Sequence, residues 1–363
     1  MRILLVSTLK RKVTASETAS RSQIIYRLAY GLAKKGHKVS LLGTADSKIE
    51  GVETIGMQDK GWVDLPSSEN QFFRDIASLI SLSQKVKEIQ KDFDIIHNHT
   101  YPEFFLPIIE NELEEPLITT IHSQATDYID DVLSKFRKTK FVALSKTHKK
   151  GFKKTKIYST VYNGIDTSKF PYSSSKKDNL LWVGRLSKAK NKDGSFMDPK
   201  GVGWAIELAK KTDSKLKLCG NVEDTQFYKR DVEPYLNDKI EWIGPISSQQ
   251  PLSAGEVSKL MQEAKAFLAT INWEEPFGLS MVEAMASGTP VIGFDKGAVA
   301  EIVLDGKTGI VVPYKEGLGG LKKALSKINQ INPKDCRRHV EENFTSDRMV
   351  NEYEKLYQQM VSE

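Results

Sequence analysis

The chain has 363 residues, 39% of them hydrophobic, and its 53 Lys+Arg against 47 Asp+Glu give a formal net charge of +6. That length suits two domains with ordinary cores, and no run of about 18 apolar residues is present, which excludes a membrane-spanning helix. Two cysteines, Cys219 and Cys336, without paired spacing exclude a disulfide framework or a zinc site and fit a reducing cytoplasm.

Met1–Ser7 reads as a first buried parallel strand; its apolar stretch is too short for a secretion signal. Ile3–Val6, Val39–Leu42, Ile95–His97, Ile118–His122 and Phe141–Leu144 form one series of expected strands. Gln23–Lys35 carries Ile24, Leu28 and Leu32 at helical spacing and ends at Gly36, and Phe72–Lys91 is a second helix with a basic, polar face. A second strand series comprises Leu180–Val183, Leu216–Cys219, Ile240–Ile243, Ala266–Ala269, Val291–Gly293 and Ile310–Val312. Between the two series lies the polar, turn-rich stretch Pro171–Asp178. The alternation of short apolar runs and helices predicts an α/β chain of doubly wound parallel sheets. The domains are set at residues 1–165 and 166–343, and the last helix, within 344–363, carries Met349, Tyr353 and Tyr357.

The positive excess is uneven. Residues 1–163 hold 25 Lys+Arg and 19 Asp+Glu, whereas the remainder hold 28 of each, so the whole +6 lies in the first half. From Lys135 to Lys156 there are ten basic residues and no acidic ones, with Phe136, Phe141 and Phe152 interleaved. A solvated helix face has this composition. So has a surface that docks on an anionic membrane, at roughly 1 kcal/mol per basic group near the lipid, or one that holds an acidic acceptor. No nucleic-acid motif accompanies the patch, so nucleic acid is not an expected partner.

The densest chemical signal is Glu275-Pro276-Phe277-Gly278-Leu279-Ser280-Met281-Val282-Glu283. Pro276 cannot continue a strand, Gly278 lets a ligand approach the backbone, and Leu279–Ala286 is rich in helix formers. Leu268-Ala269-Thr270 ends a strand before it, and Gly288 closes the helix ahead of the strand at Val291. The segment is therefore a strand-to-helix corner with backbone N–H groups near Phe277, Gly278 and Leu279. Such corners bind anions, phosphate above all. Glutamates near a helix start are common for dipole reasons alone. Here one carboxylate precedes the helix and one lies inside it, so a diphosphate at the corner would have a polyol held on each side.

Glu275–Gly278 through Glu283–Ala286, then Gly288-Thr289-Pro290-Val291-Ile292, resembles the signature of retaining GT-B glycosyltransferases of family 4. Val183-Gly184-Arg185-Leu186, Asn163-Gly164-Ile165-Asp166 with Phe170, Gly297–Val303, Asp305-Gly306 and Thr308-Gly309 extend the resemblance. Gly36–Val39 and Asp94–His97 are weaker matches in the first half. The resemblance implies two Rossmann-like domains facing a central cleft, with a nucleotide-diphosphate sugar as co-substrate and no metal or other cofactor. It also implies that the last helix crosses back onto the first domain. The sugar would pass with retention to a hydroxyl acceptor (a glycan, glycolipid or cell-envelope precursor) by front-face displacement, in a protein that is cytoplasmic or peripheral on the inner face of the membrane.

Carried onto this chain, the resemblance makes Glu275, His122, Arg185 and Lys200 the catalytic set. Glu283, Phe277, Gly278 and Leu279 join Arg185 and Lys200 in donor binding, with Glu283 on the ribose and Glu275 on the transferred sugar. A guanidinium grips phosphate oxygens in a bidentate way, which suits Arg185. The family's Lys-Gly pair falls at Lys200-Gly201 if Ser187–Pro199 is an insertion, while Lys190 keeps the closer spacing without the glycine. His122 ends a strand, where it can donate to a sugar hydroxyl or to developing negative charge. His97 and His99 are candidates for the acceptor wall, together with Ser16. The family commonly has a Gly-Gly pair after its first strand, whereas Thr8–Ser22 contains no glycine. That departure leaves open an epimerase-like or non-catalytic sugar-nucleotide-binding protein on the same scaffold. A dinucleotide oxidoreductase is disfavoured, since no Gly-x-Gly-x-x-Gly follows the first strand.

Overall fold

The computed structural model describes residues 1–66, 70–246 and 252–362; Glu363, assigned from sequence to the last helix, lies outside them. The chain divides into two compact units, Met1–Ile165 with the segment from Ser346, and Asp166–Thr345.

The first unit runs β1 (Arg2–Val6), α1 (Ser20–Lys34), β2 (Lys38–Thr44), β3 (Val52–Gln58), α2 (Gln71–Ile89), β4 (Ile95–Asn98), β5 (Leu117–Thr120), α3 (Asp127–Leu133), β6 (Lys140–Ala143), α4 (Lys146–Gly151) and β7 (Ile157–Thr160). Its seven strands lie in the order β3-β2-β1-β4-β5-β6-β7, every pair parallel. Ile3, Leu4, Leu5 and Val6 are all fully buried. Successive strand residues face opposite ways, so β1 is covered on both sides, the usual state of a parallel sheet. Burial of each such side chain stabilises by about 1.5–3 kcal/mol. The sequence pattern does not reveal β3 or β7. Both are edge strands, largely half-buried, and Val52-Glu53-Thr54-Ile55-Gly56-Met57-Gln58 and Ile157-Tyr158-Ser159-Thr160 are too polar to read as core.

The connections from β3 to β4, β5, β6 and β7 all step in one direction across the sheet. Right-handed crossover therefore sets α2, α3 and α4 on one side and α1 on the other. Leu79, Leu82 and Val86 of α2 accordingly pack on Leu4, Val6 and Ile96, and Ile129 and Leu133 of α3 pack on Ile121, Phe141 and Ala143.

The second unit runs β8 (Asn179–Leu186), α5 (Val202–Thr212), β9 (Lys215–Val222), α6 (Thr225–Asp231), β10 (Ile240–Ile243), α7 (Ala254–Glu263), β11 (Ala266–Ala269), α8 (Leu279–Ala286), β12 (Val291–Phe294), α9 (Val299–Ile302), β13 (Gly309–Val312), α10 (Gly317–Lys327) and α11 (Pro333–Asn343). Its six strands lie in the order β10-β9-β8-β11-β12-β13, again all parallel. Arg337 of α11 donates from Nη1 to the carbonyls of Ala286 (2.9 Å) and Phe170 (2.8 Å), fastening the end of α8 to the start of the unit.

The last helix, α12 (Ser346–Ser362), belongs to the first unit. Tyr353 and Tyr357 are 1% and 0% exposed. The Tyr353 hydroxyl lies 2.7 Å from Thr120 Oγ1, and that of Tyr357 lies 2.5 Å from His97 Nδ1. Tyr357→Phe strands His97 Nδ1 in the core without a partner. Urea unfolding of this variant is expected to lose about 1–3 kcal/mol, against no comparable loss for a substitution at exposed Val361.

Candidate functional site

Open parallel sheets bind ligands beyond the carboxyl ends of their strands, where the strand order reverses. In the second unit that point lies between β8 and β11. β8 stays paired with β9 as far as Leu186 with Val222, but it pairs with β11 only at Leu180 and Leu181. Past that register a pocket of about 20 Å³ opens, lined by Val183 and Leu268 from the strands and by Lys200, Glu275, Gly278 and Met281 beyond them. It has room for about one water.

Gly278 caps α8 at φ 89°. This left-handed turn is natural for glycine and swings the chain from loop into helix, where the Met281 amide donates back to the Gly278 carbonyl at 3.0 Å. Lys200 is held at the other wall. The Trp182 indole donates to its carbonyl (2.9 Å), and Gly201 turns into α5 at φ 69°, where an added Cβ would stand 1.6 Å from the Thr270 carbonyl oxygen. Asp198 accepts from the amides of Val202 (3.0 Å) and Gly203 (2.9 Å) at the start of α5, and burial pushes its carboxyl above the ordinary range.

Lys200 and Glu275 meet in the pocket. Lys200 Nζ donates to Glu275 Oε2 at 2.5 Å, and the Trp273 indole donates to the same oxygen at 3.0 Å. The Lys200 ammonium also lies 4.9 Å from the Trp273 ring centroid. From outside, the Ala298 amide donates to the Glu275 carbonyl at 2.8 Å. Lys190 is elsewhere. Residues 189–197 form a small hairpin with Lys190 bridged to Phe196. Phe196 stacks on Phe227 of α6 at 5.1 Å, and Lys190 Nζ sits 4.8 Å from the Phe196 ring.

Arg185 is exposed at the end of β8 and pairs with Glu223 at 3.2 Å. Glu283 is half-buried on α8. Phe277 and Leu279 are buried, with the Phe277 ring edge-on to Phe344 at 5.8 Å, so a ligand would meet their backbone and not their side chains.

In the first unit the strand order reverses between β1 and β4. His97, expected on an acceptor wall, is instead fully buried, with Nδ1 on Tyr357 and Nε2 on Thr120 (2.8 Å); it is a core residue. His99 is also fully buried, and its Nδ1 lies 2.9 Å from Nε2 of half-buried His122. Burial and then the His99 charge hold His97 well below the ordinary histidine pKa. Burial and the Arg21 guanidinium take His99 to about 3 and hold His122 far down. All three are therefore neutral near pH 7. Ser16 is exposed, its hydroxyl 3.3 Å from that of Thr14. The glycine-free loop after β1 is anchored by buried Leu9 and Val13, and the Val13 amide donates to Ser47 Oγ at 2.9 Å.

Sequence reasoning passed over Glu103 and Arg21. Glu103 is 2% exposed and accepts from Arg21 Nη2 (2.6 Å), from the amides of His122 (3.1 Å) and Ser123 (3.0 Å), and from Ser123 Oγ. This carboxylate fixes the loop that carries His122. No short-range pattern marks it, because its partners come from α1 and from the end of β5.

In the basic stretch, nine of the ten cationic residues are exposed, and Lys140 is half-buried with Nζ 5.0 Å from the Tyr158 ring. Phe141 and Phe152 are core residues and Phe136 packs against them, so the interleaved aromatics do not project outward. Two buried carboxylates from outside the stretch hold its loops. Glu110 accepts from the amides of Arg137 and Thr139 (both 2.8 Å), and Asp130 accepts from those of Lys153 (2.7 Å), Lys154 (2.9 Å) and Thr155 (2.8 Å).

Residues 165–343 match the family model described as glycosyl transferases group 1, and residues 22–169 match that of glycosyltransferase family 4. The chain belongs to the family 4 glycosyltransferases. This glycosyltransferase is 26% identical over 311 residues to an uncharacterized glycosyltransferase of Methanocaldococcus jannaschii, covering 79% of this chain and 82% of the relative. It is 24% identical to the alpha-monoglucosyldiacylglycerol synthase of Streptococcus pneumoniae, covering 89% and 82%. Solved GT-B structures share its fold. Sucrose-phosphate synthase of Thermosynechococcus elongatus superposes with a TM-score of 0.78 at 17% identity over 99% of both chains. The Anabaena protein HepE, in complex with UDP and glucose, gives 0.71 at 15% over 99% of this chain and all of that one.

Two outcomes follow from this geometry. Gly201→Ala is expected to cost more than about 2 kcal/mol in urea unfolding, through the clash with Thr270 and the left-handed backbone. Because folding lowers the pKa of three histidines that titrate near 6.5 when unfolded, the unfolded chain binds the extra protons. The histidine contribution to stability should be level above about pH 6.5 and fall as pH drops toward 3, by up to ~1.4 kcal/mol per pH unit for each histidine kept neutral. Denaturant midpoints at pH 7.5, 6 and 5 check the sign.

Proposed function

We propose that this glycosyltransferase moves a sugar, with retention, from a nucleotide-diphosphate sugar to a hydroxyl acceptor, the donor held by the second unit and the acceptor by the first. The observation that carries the reading is the Lys200–Glu275 pair in the pocket where β8 and β11 part. Lys200 in the pocket and Arg185 at the end of β8 now rest against carboxylates, Glu275 and Glu223. A diphosphate exchanges places with those carboxylates. Lys200, Arg185 and the first amides of α8 then absorb the charge that grows on the leaving group. No metal is needed for that task in this reading.

Glu275, released from Lys200, accepts hydrogen bonds from hydroxyls of the transferred sugar, and Glu283 does so from the ribose. His122 presents a neutral ring to the sugar or acceptor oxygen. The acceptor oxygen bonds to the anomeric carbon on the face from which the phosphate oxygen departs. That phosphate oxygen takes the acceptor proton, so Glu275 orients and stabilises without becoming covalently attached.

The acceptor in this reading is lipid-linked and met at an anionic, cytoplasmic membrane surface. Support comes from the side of the first sheet that carries α2, α3 and α4. There Phe72, Phe73 and Ile80 of α2 are 72%, 70% and 51% exposed, and Tyr128 of α3 is 72% exposed. The exposed lysines of α4 share that side. Apolar side chains flanked by cations suit a headgroup boundary, and the Streptococcus relative is named for a glucosyl lipid product.

A thermal-shift panel of nucleotide-diphosphate sugars identifies the donor, since a bound ligand raises the melting temperature. With that donor, Arg185→Ala and Glu275→Ala are each expected to lower transfer at least about 100-fold while the fold persists; full activity in both sinks the site. Sedimentation with phosphatidylglycerol vesicles tests the surface. Lys149→Glu with Lys150→Glu should weaken binding at least about fivefold per position, and Phe72→Ser with Phe73→Ser should weaken it in a salt-independent way.

A further inference from the structure

We propose that His99 is a positioning residue: its Nδ1–H donates to His122 Nε2 and thereby fixes His122 as the Nδ1–H tautomer, so that the other nitrogen of that ring has a proton, not a lone pair, to offer a substrate oxygen. The part that concerns substrate rests on the proposed transfer reaction; the tautomer assignment stands on geometry alone.

The two nitrogens are 2.9 Å apart, so exactly one proton lies between them. Which ring supplies it is decided by the other end of His99. Its Nε2 is buried and has no partner. Were the proton on Nε2, an N–H group would be sealed in the core with no acceptor, which folded proteins tolerate less readily than an under-used acceptor. With the proton on Nδ1, His99 donates to His122 and keeps only a lone pair at the orphaned position. His122 Nε2 then accepts, and a neutral imidazole that accepts at Nε2 carries its proton at Nδ1.

The ring of His99 is held in place for this task. Its centroid lies 3.9 Å from that of His97. His97 is itself fixed at both nitrogens, by Tyr357 and by Thr120, which also meets Tyr353. The His99 amide donates to the Val6 carbonyl at 2.8 Å, tying the residue to β1. On the far side Glu103 holds the His122 amide. The histidine pair is thus braced by α12 behind it and by the Arg21–Glu103 pair beside it.

The test uses the full chain labelled with ¹⁵N, at pH 7.5 and without substrate. Two-bond ¹H–¹⁵N correlation distinguishes pyrrole-type from pyridine-type ring nitrogens, and His122→Gln assigns the His122 signals by their loss. The expected wild-type pattern is pyrrole-type Nδ1 and pyridine-type Nε2 on His122. In His99→Ala the two His122 nitrogens should move toward each other as the tautomers mix. His99→Asn places an amide nitrogen where Nδ1 stood and should restore the wild-type pattern, whereas His99→Gln should not. A pyrrole-type Nε2 on wild-type His122 overturns the proposal even if the variants fail to fold, and so does a His99→Ala spectrum with both nitrogens unmoved. Absence of sugar transfer would refute the proposed function and leave this result untouched.

Discussion

Two parallel strands that separate part-way along set up the second unit. β8 and β11 share only the register around Leu180 and Leu181, while β8 continues to Leu186 against β9. Strands that stayed paired would close the crevice with backbone hydrogen bonds. Because they part, the Trp182 indole reaches the Lys200 carbonyl, and the chain beyond β11 is free to deliver Glu275 opposite Lys200. The pocket, the ion pair and the glycine-capped start of α8 all follow from that parting, and the reversal of strand order at the same point explains why it happens there.

The first unit organises its site through buried polar groups. Glu103, Glu110 and Asp130 are each nearly inaccessible. An isolated carboxylate in such a place would be costly, but each accepts several hydrogen bonds, largely from backbone amides. The result is a set of loops fixed by side chains that arrive from other elements. The histidines obey the same physics with the opposite outcome: burial, joined by the Arg21 guanidinium at His99 and His122, removes their charge, and they serve as neutral donors and acceptors.

The fold class was legible because both sheets are parallel and doubly covered, which makes central strands such as Ile3–Val6 continuously apolar. Edge strands β3 and β7 were not, since half-buried strands can be polar. In the second unit, the residues singled out from Glu275 to Glu283 are local in sequence, and the corner they form can be read from Pro276, Gly278 and the helix formers after them. Lys200 was preferred to Lys190 because a glycine follows it, as in the family's Lys-Gly pair. What the sequence does not reveal is the hairpin, in which Phe196 stacks on Phe227 and Lys190 lies over the Phe196 ring. His97 misled because a histidine at a strand end looks like a ligand group; its burial depends on tyrosines more than two hundred residues later. Glu103 and Arg21 were invisible because they lie 82 residues apart in the chain and meet only in the fold.

The placement of α12 bears on how the molecule is made. Tyr353 and Tyr357 complete the core around β4 and β5, yet they follow the entire second unit in the chain. During vectorial synthesis the first sheet emerges, and then roughly 180 further residues must be translated, about 10–35 s at ordinary elongation rates, before its last helix arrives. For that interval the nascent first half carries an uncovered apolar strip, and His97 and Thr120 meet water in place of the tyrosine hydroxyls. The second half, whose strands and helices are contiguous, suffers no such delay, so the part made later can finish folding first.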